Sequence, residues 1–264
     1  MEPMVNIALR AARKAGEKIV RASDELERFE VKSKGVNDFV TEVDVSAEQE
    51  LIYHLQKAFP EHAVLGEESG LIGDADAEYC WVIDPLDGTT NFIHGIPHYG
   101  ISIACLHKGR PEHAVIIDPV RREEFIASRG RGAQLNGHRI RVSQRAGLEG
   151  ALLGTGIPFK EHHHDRLADY TKTIEVLAGQ SAGIRRAGAA SLDLAYVAAG
   201  RLDAFWEIGL GKWDIAAGAL LIREAGGLVA DIDGSDDYLA SGNIVCGNPK
   251  CFKAVLQVVK PLLA

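Results

Sequence analysis

From Tyr79 to Val142 the chain is a succession of short apolar or alternating segments, each closed by a turn residue. Tyr79 to Ile83 is an apolar run that stops at Asp84-Pro85. Tyr99 to Leu106 alternates as a strand, Arg110-Pro111 marks a turn, and Ala114 to Ile117 is a further strand. Glu124 to Ala127 and Arg139 to Val142 continue the series, with Asn136-Gly137 as a two-residue hairpin signal. This pattern predicts a meandering, largely antiparallel sheet. Such a sheet must bury an apolar face, so the rest of the chain has to supply covering layers.

The flanking segments have the right periodicity to do so. Met4 to Arg28 contains no proline and places Leu9, Ala12, Gly16, Ile19 and Val20 at helical spacing. Ser46 to Phe59 carries Leu51, Leu55 and Phe59 as its stripe, with Ser46 as its cap and Pro60 after its end. Beyond the meander, strands and helices alternate. Ala151 to Gly154, Ala204 to Ile208, Leu228 to Ile232 and Ile244 to Cys246 read as strands. Asp165 to Leu177, Ser191 to Ala199 and Trp213 to Ala225 read as helices, the last two closed by Gly200 and by Gly226-Gly227. Asn248-Pro249 opens a final helix with a cap and a first-position proline. The expected class is α+β or α/β, with layered sheets covered by helices. With 264 residues, 46% of them apolar, the chain can bury a core as one compact unit. A seam is expected near Gly147 to Gly150, between an N-terminal α+β half (1–147) and a C-terminal α/β half (148–264).

Lys plus Arg number 29 against 37 Asp plus Glu, a formal net charge of -8. So acidic a chain is a poor general binder of nucleic acid or anionic membrane. If its substrate is a phosphate, a cation must solve the local repulsion. Cys80, Cys105, Cys246 and Cys251 form no C-x-x-C pair and read as reduced packing thiols, pointing to a cytoplasmic protein. The first fifteen residues lack the uninterrupted apolar stretch of a signal peptide, and no run reaches the ~18 apolar residues of a membrane span.

Three segments concentrate carboxylates beside turn residues: Gly66-Glu67-Glu68-Ser69, Trp81 to Phe92 with Asp84-Pro85-Leu86-Asp87-Gly88-Thr89-Thr90 at its centre, and Trp213-Asp214. Asp84 and Asp87 sit three apart at the end of a buried strand, where Pro85 blocks further pairing and Gly88 permits a tight bend. Carboxylates held this close repel unless something neutralises them. Oxygen-only ligands, with no Cys or His in the motif, favour Mg²⁺ over Zn²⁺. Gly88, Thr89 and Thr90 can expose backbone N–H groups that suit phosphate oxygens. Taken singly, Asp214 is an ordinary acidic residue at a helix start, Glu67-Glu68 a solvated loop, and Asp84 to Gly88 a strand-ending turn; jointly they are chemically coherent.

These segments resemble the inositol monophosphatase family, the lithium-sensitive phosphatases. The resemblance rests on W-V-I-D-P-L-D-G-T-T-N-F at 81–92, W-D-I-A-A-G at 213–218, G-E-E-S at 66–69 and D-x-V-T-x-x-D at 38–44. R-R-A-G-A-A-S-L-D-L-A-Y-V-A-A-G at 185–200 extends it over nearly the whole chain, nearest to the bacterial SuhB type. The resemblance implies a layered αβαβα sandwich, paired as a homodimer, and Mg²⁺-dependent hydrolysis of inositol-1-phosphate or a similar small sugar-alcohol phosphate. It implies two or three Mg²⁺ ions bound by Glu67, Asp84, Asp87, Asp214 and the main-chain oxygen of Leu86. Asp87, Gly88 and Thr89 would hold the phosphate. Thr89, with Glu67 and Asp44, would orient and deprotonate the attacking water. Glu207 and Ala190 would contact the alcohol, with Arg185 and Asp214 also facing the substrate. The alternatives within the superfamily are phosphatases of fructose bisphosphate, phosphoadenosine nucleotides or histidinol phosphate. A different class of role also follows from the resemblance, a contact with NusA or RNA polymerase in transcription antitermination.

Other features carry less. His162-His163-His164, set among charged residues before a helix, reads as a solvated loop. His94 and His98 flank Gly95-Ile96-Pro97 and receive no role, and Arg121-Arg122 with Arg129 and Arg131 read as surface charge or a partner contact. Lys212, next to Trp213-Asp214, either steers phosphate or points to water.

Overall fold

The structure is a computed structural model and describes residues 2–25, 31–35, 38–158 and 165–264, with side chains omitted for 31–35 and 38–40. Pro3 opens helix α1 (Pro3–Ser23), which buries Val5, Ala8, Leu9, Ala12, Ala15 and Ile19 along one face. A hairpin of β1 (Val31–Gly35) and β2 (Asp38–Thr41) leads into α2 (Glu42–Ala58). The expected cap at Ser46 is corrected to Thr41. Thr41 Oγ1 accepts the Val43 N–H, and Asp44 Oδ2 accepts the Thr41 N–H in return, so the helix starts a full turn earlier.

The meander is an eight-stranded sheet. It contains β3 (Ala63–Gly66), β4 (Gly70–Ile72), β5 (Tyr79–Asp87), β6 (Gly100–His107), β7 (Arg110–Asp118), β8 (Glu123–Ser128), β9 (Gly132–Leu135) and β10 (His138–Arg139), in the order β10-β9-β8-β7-β6-β5-β3-β4. All its pairs are antiparallel except β3 with β5. Asn136 and Gly137 both have positive φ, 48° and 81°, as a tight β9–β10 turn requires. The turn expected at Arg110-Pro111 falls instead on Lys108 and Gly109, whose φ values are 50° and 78°. Strand β5 also runs past its expected end at Ile83. Pro85 sits inside a register irregularity between Asp84, opposite Ser102, and Asp87, opposite Gly100, where a missing N–H costs no ladder bond. That irregularity brings both aspartates to the same strand end.

A short helix α3 (Thr89–Ile93) follows β5. The second sheet has five strands in the order β12-β11-β13-β15-β14: β11 (Leu152–Thr155), β12 (Gly183–Arg185), β13 (Ala204–Glu207), β14 (Leu228–Ala230) and β15 (Ile244–Gly247). Strand β11 runs parallel to β12 and β13, while β15 is antiparallel to β13 and β14. The helices are α4 (Leu167–Ala178), α5 (Ala190–Ala198), α6 (Lys212–Glu224), α7 (Tyr238–Ser241) and α8 (Pro249–Leu263), the last capped by Asn248 as expected. Gly200, at φ 72°, follows α5 in the left-handed conformation that ends it.

Three apolar cores mark the layering. α1 and α2 pack on one face of the large sheet through Leu9, Ile19, Leu51, Trp81 and Ile101. α5 and α6 lie between the two sheets, with Val82, Phe125, Leu194, Phe205 and Leu221 in their core. α4 and α8 cover the outer face of the small sheet through Tyr170, Leu177, Trp206 and Val255. The result is the expected αβαβα sandwich. All four cysteines are free, with Cys80 half-buried and the others buried. Among the described residues, no helix is long and apolar enough to cross a membrane.

Candidate active site

The C-terminal ends of strands from both sheets and the first turns of α3, α5 and α6 converge on one cleft of about 570 Å³. Strand β5 delivers Asp84, Leu86 and Asp87, the residue after β3 is Glu67, and α6 brings Asp214 in its first turn. The start of α6 is held over the large sheet because Ser102 Oγ on β6 donates 2.8 Å to the Trp213 carbonyl. Asp214 Oδ2 accepts the Gly211 N–H at 2.6 Å, which fixes its rotamer. Each of Asp84, Asp87 and Asp214 offers a carboxylate oxygen, and the three atoms lie within 4.8 Å of one another.

Asp84 turns one oxygen back to the Leu86 N–H at 2.9 Å. Burial, and then the charges of Glu67, Asp87 and Asp214, push its carboxyl well above the usual range. Burial raises Asp87 to about 6, opposed by hydrogen bonds from Ser191 and the Ala190 N–H. Both the Ser191 N–H (2.7 Å) and its Oγ (2.5 Å) donate to Asp87 Oδ2. Asp214 rises to about 8, first through burial and then through Asp87 and Glu67. Such a cluster gains greatly from a multivalent cation, and its all-oxygen donor set fits a hard ion such as Mg²⁺.

Beside the carboxylates, Thr89 Oγ1 lies 2.9 Å from Asp44 Oδ1 and 3.0 Å from the Leu86 carbonyl oxygen. Asp44, 1% exposed, is further clamped by the Thr41 N–H and hydroxyl, which oppose the rise that burial imposes on it. Gly88 has φ 96°, and a Cβ there would meet the His98 carbonyl at 3.1 Å, so conformation and space both require glycine. Buried Asn91 donates from one amide nitrogen to the His98 (2.7 Å) and Ala187 (2.9 Å) carbonyls, tying the loop after α3 to the one before α5.

On the opposite wall Glu207 ends β13, 7% exposed. A Cβ at Gly156 would lie 1.7 Å from Glu207 Oε1, so this glycine makes the room its carboxylate occupies. Burial, then Asp193 and Asp214, raise Glu207 well above its ordinary value, with Arg186 opposing.

The cleft thus gathers Glu67, Asp84, Leu86, Asp87, Gly88, Thr89, Ala190, Glu207 and Asp214, with Asp44 bonded behind Thr89. Arg185 is corrected: it does not line the cleft but ends edge strand β12, exposed, with Nη1 on the Ile184 carbonyl. The next residue, Arg186, lines it instead, because successive side chains of an extended segment point opposite ways. Lys212 does not line it either, and its charge acts on Cys80. His94 lines the mouth. His162, His163 and His164 lie outside the described residues. Arg186, Asp193, Asn91, Ser191 and Gly156 were not singled out from the sequence. Asp193 reads locally as an ordinary acid in a first helical turn, and only the tertiary fold aims it at the cleft.

Comparison with known proteins agrees with this geometry. The sequence model of the inositol monophosphatase family matches residues 1–262. The chain is 63% identical over 265 residues to "Nus factor SuhB" of Pseudomonas aeruginosa, covering 100% of this chain and 98% of that protein. The crystal structure of extragenic suppressor protein suhB from Bartonella henselae superposes with a TM-score of 0.94 at 42% identity, covering 98% of this chain and 99% of that one. The structure of inositol monophosphatase from Anabaena gives 0.85 at 35% identity, covering 98% and 95%.

Proposed function

The chain belongs to the inositol monophosphatase family, and from that premise we propose that it is a Mg²⁺-dependent phosphatase of inositol-1-phosphate or a closely similar sugar-alcohol phosphate. The observation that carries this reading is the meeting of Asp84, Asp87 and Asp214 oxygens within 4.8 Å beside the Gly88-Thr89 bend. Glu67, Asp84, Asp87, Asp214 and the Leu86 carbonyl would hold two or three Mg²⁺ ions. Bound there, Mg²⁺ supplies Lewis-acid charge for a water nucleophile and for the leaving oxygen.

The chain's own groups do the positioning. The first-turn N–H groups of α3 have no partner within the helix and would, with Gly88 and Asp87, hold phosphate oxygens. When the Thr89 hydroxyl donates its hydrogen bond to Asp44, its oxygen lone pairs are left to accept a hydrogen bond from the attacking water, with Glu67 also lining the cleft. Glu207 and Ala190 face the alcohol, where a buried carboxylate accepts hydroxyl hydrogen bonds. Asp214, on the same rim, serves metal and alcohol together.

The test is phosphate release from inositol-1-phosphate by the purified protein with and without Mg²⁺, and by Asp87→Asn. Wild type should be active with Mg²⁺ alone and inhibited by lithium. The variant, still folded by circular dichroism, should lose at least about 100-fold, because changing a metal ligand itself should cost no less than the roughly 10–100-fold of changing a group that only orients one. Near-normal turnover in the variant would refute the assignment. A homodimer belongs to the same reading and is checked by light scattering.

A second reading rests on the Pseudomonas relative's name, since 63% identity spans the whole chain. We propose that this chain also serves as a Nus factor, contacting NusA or RNA polymerase away from the metal cleft. Capture of either protein by Asp87→Asn as well as by wild type would support it. Capture of neither would remove it.

A further inference from the structure

Among the described residues lining the cleft, six acids, Glu67, Asp84, Asp87, Asp193, Glu207 and Asp214, face a single arginine, Arg186. The metal cluster accounts for four of those acids. Asp193 and Glu207, 3% and 7% exposed, remain on the side where the alcohol would sit. Burial raises both carboxyls, and the charge of Arg186 opposes that rise in each, so the guanidinium stands close to the pair. A Cβ at Gly188 would lie 2.9 Å from Arg186 Nη1, which places the fork over the loop that abuts Gly88.

Arg186 nonetheless makes no ion pair or hydrogen bond among the described residues, and its side chain is exposed to the cleft. A cation serving only to neutralise Asp193 and Glu207 would be drawn into contact with them. This one is exposed in the cleft and makes no such contact with either acid among the described residues. A guanidinium with free donors matches a planar or tetrahedral oxyanion. The two acids beside it accept hydroxyl hydrogen bonds and repel a bare anion, so an anionic group is tolerated here only because Arg186 is present.

We propose that Arg186 is a specificity-determining residue that binds a second oxyanion, a carboxylate or phosphate, on the alcohol portion of the substrate, while Glu207 and Asp193 take adjacent hydroxyls. This rests on the phosphatase reading above and extends the substrate class of the same cleft beyond inositol-1-phosphate, to a phosphomonoester whose alcohol carries both hydroxyls and a further acidic group.

The experiment measures equilibrium binding by calorimetry, with Ca²⁺ in place of Mg²⁺ to suppress turnover, alongside phosphate release with Mg²⁺. The probes are inositol-1-phosphate, fructose 1,6-bisphosphate for a second phosphate, and 3-phosphoglycerate for a carboxylate. Wild type should bind one of the doubly acidic probes more tightly than inositol-1-phosphate, and which one distinguishes the two oxyanions. In Arg186→Ala that preference should collapse at least about tenfold, the scale of one charge-assisted pair. Arg186→Lys should restore part of it, keeping the charge without the fork. Equal weakening of all three probes, or an unchanged preference, would overturn the assignment. An Arg186-dependent preference in a protein that releases no phosphate would uphold the assignment and reject the hydrolase reading.

Discussion

Asp84, Asp87 and Asp214 are three like charges in a site that disfavours even one, and that conflict sets how the protein responds to pH. Asp87 is raised to about 6 and Asp214 to about 8, against about 3.9 in an unfolded chain. The folded, metal-free protein therefore binds more protons than the unfolded one between those values. The stability these two groups contribute falls as pH rises from about 4, and is lost above about 8. A divalent cation prefers the deprotonated cluster, so its stabilising effect grows over the same window. The gain in Tm on adding Mg²⁺ should be larger at about pH 8.5 than at about pH 5 by at least about 4 °C, the equivalent of roughly 1–2 kcal/mol. Calorimetry in two buffers of different ionisation enthalpy should show protons released on binding at neutral pH. A Tm gain independent of pH would contradict this account. These residues were legible in sequence because their chemistry sits in short local motifs. Arg186 and Asp193 were not, because nothing local separates Arg186 from Arg185 or marks Asp193 as more than a helix-start acid; strand alternation and tertiary approach decide both.

At the level of elements, helix α2 shows how a cap does two things at once. Thr41 satisfies the Val43 N–H and, through its own N–H and hydroxyl, holds the carboxylate of Asp44 that receives Thr89. Thr41→Ala should cost about 1–2 kcal/mol, the range for a lost cap, and should also lower turnover, because Asp44 loses the hydroxyl, one of the two Thr41 donors that orient it. Ser46→Ala, at an exposed position inside the helix, should change neither. Urea unfolding and phosphate-release rates on the two variants check this, and equal effects would count against Thr41 as the cap. Periodicity located the helix itself, since Leu51 and Leu55 are both fully buried. It missed the true start because Val43 and Asp44 are buried by tertiary packing that a stripe of apolar residues does not report. The same holds for β5: a proline in a strand ordinarily ends it, and here a register irregularity absorbs it, which only the facing strand β6 reveals.

At the scale of the whole molecule, one helix links the two sheets to the site. Helix α6 packs against β5, β6, β7, β8 and β9 on one side and β14 and β15 on the other, and its first turn carries Asp214. Sequence pattern announces strands in both sheets, though not β3, β4 or β12, and it reports neither the parallel pairing of β3 with β5 nor the order of the small sheet, since these depend on contacts between distant segments. Midway along α6, Gly218 meets α5: a Cβ there would sit 2.4 Å from Leu194 Cβ. A larger side chain must push the two helices apart within a core closed on both faces by sheets. Gly218→Leu should therefore cost about 1–3 kcal/mol by overpacking. It should also weaken Mg²⁺ binding, because the displacement carries Asp214 away from Asp84 and Asp87. Val255→Ala, on the buried face of α8 in the outer core, offers the contrast. It should lose about as much stability through its cavity, yet leave metal affinity unchanged, since α8 contributes nothing to the cleft. Urea midpoints and Mg²⁺ titrations of both variants separate these outcomes. If Gly218→Leu lost stability while binding Mg²⁺ as wild type does, the position of Asp214 would not depend on the packing between the sheets.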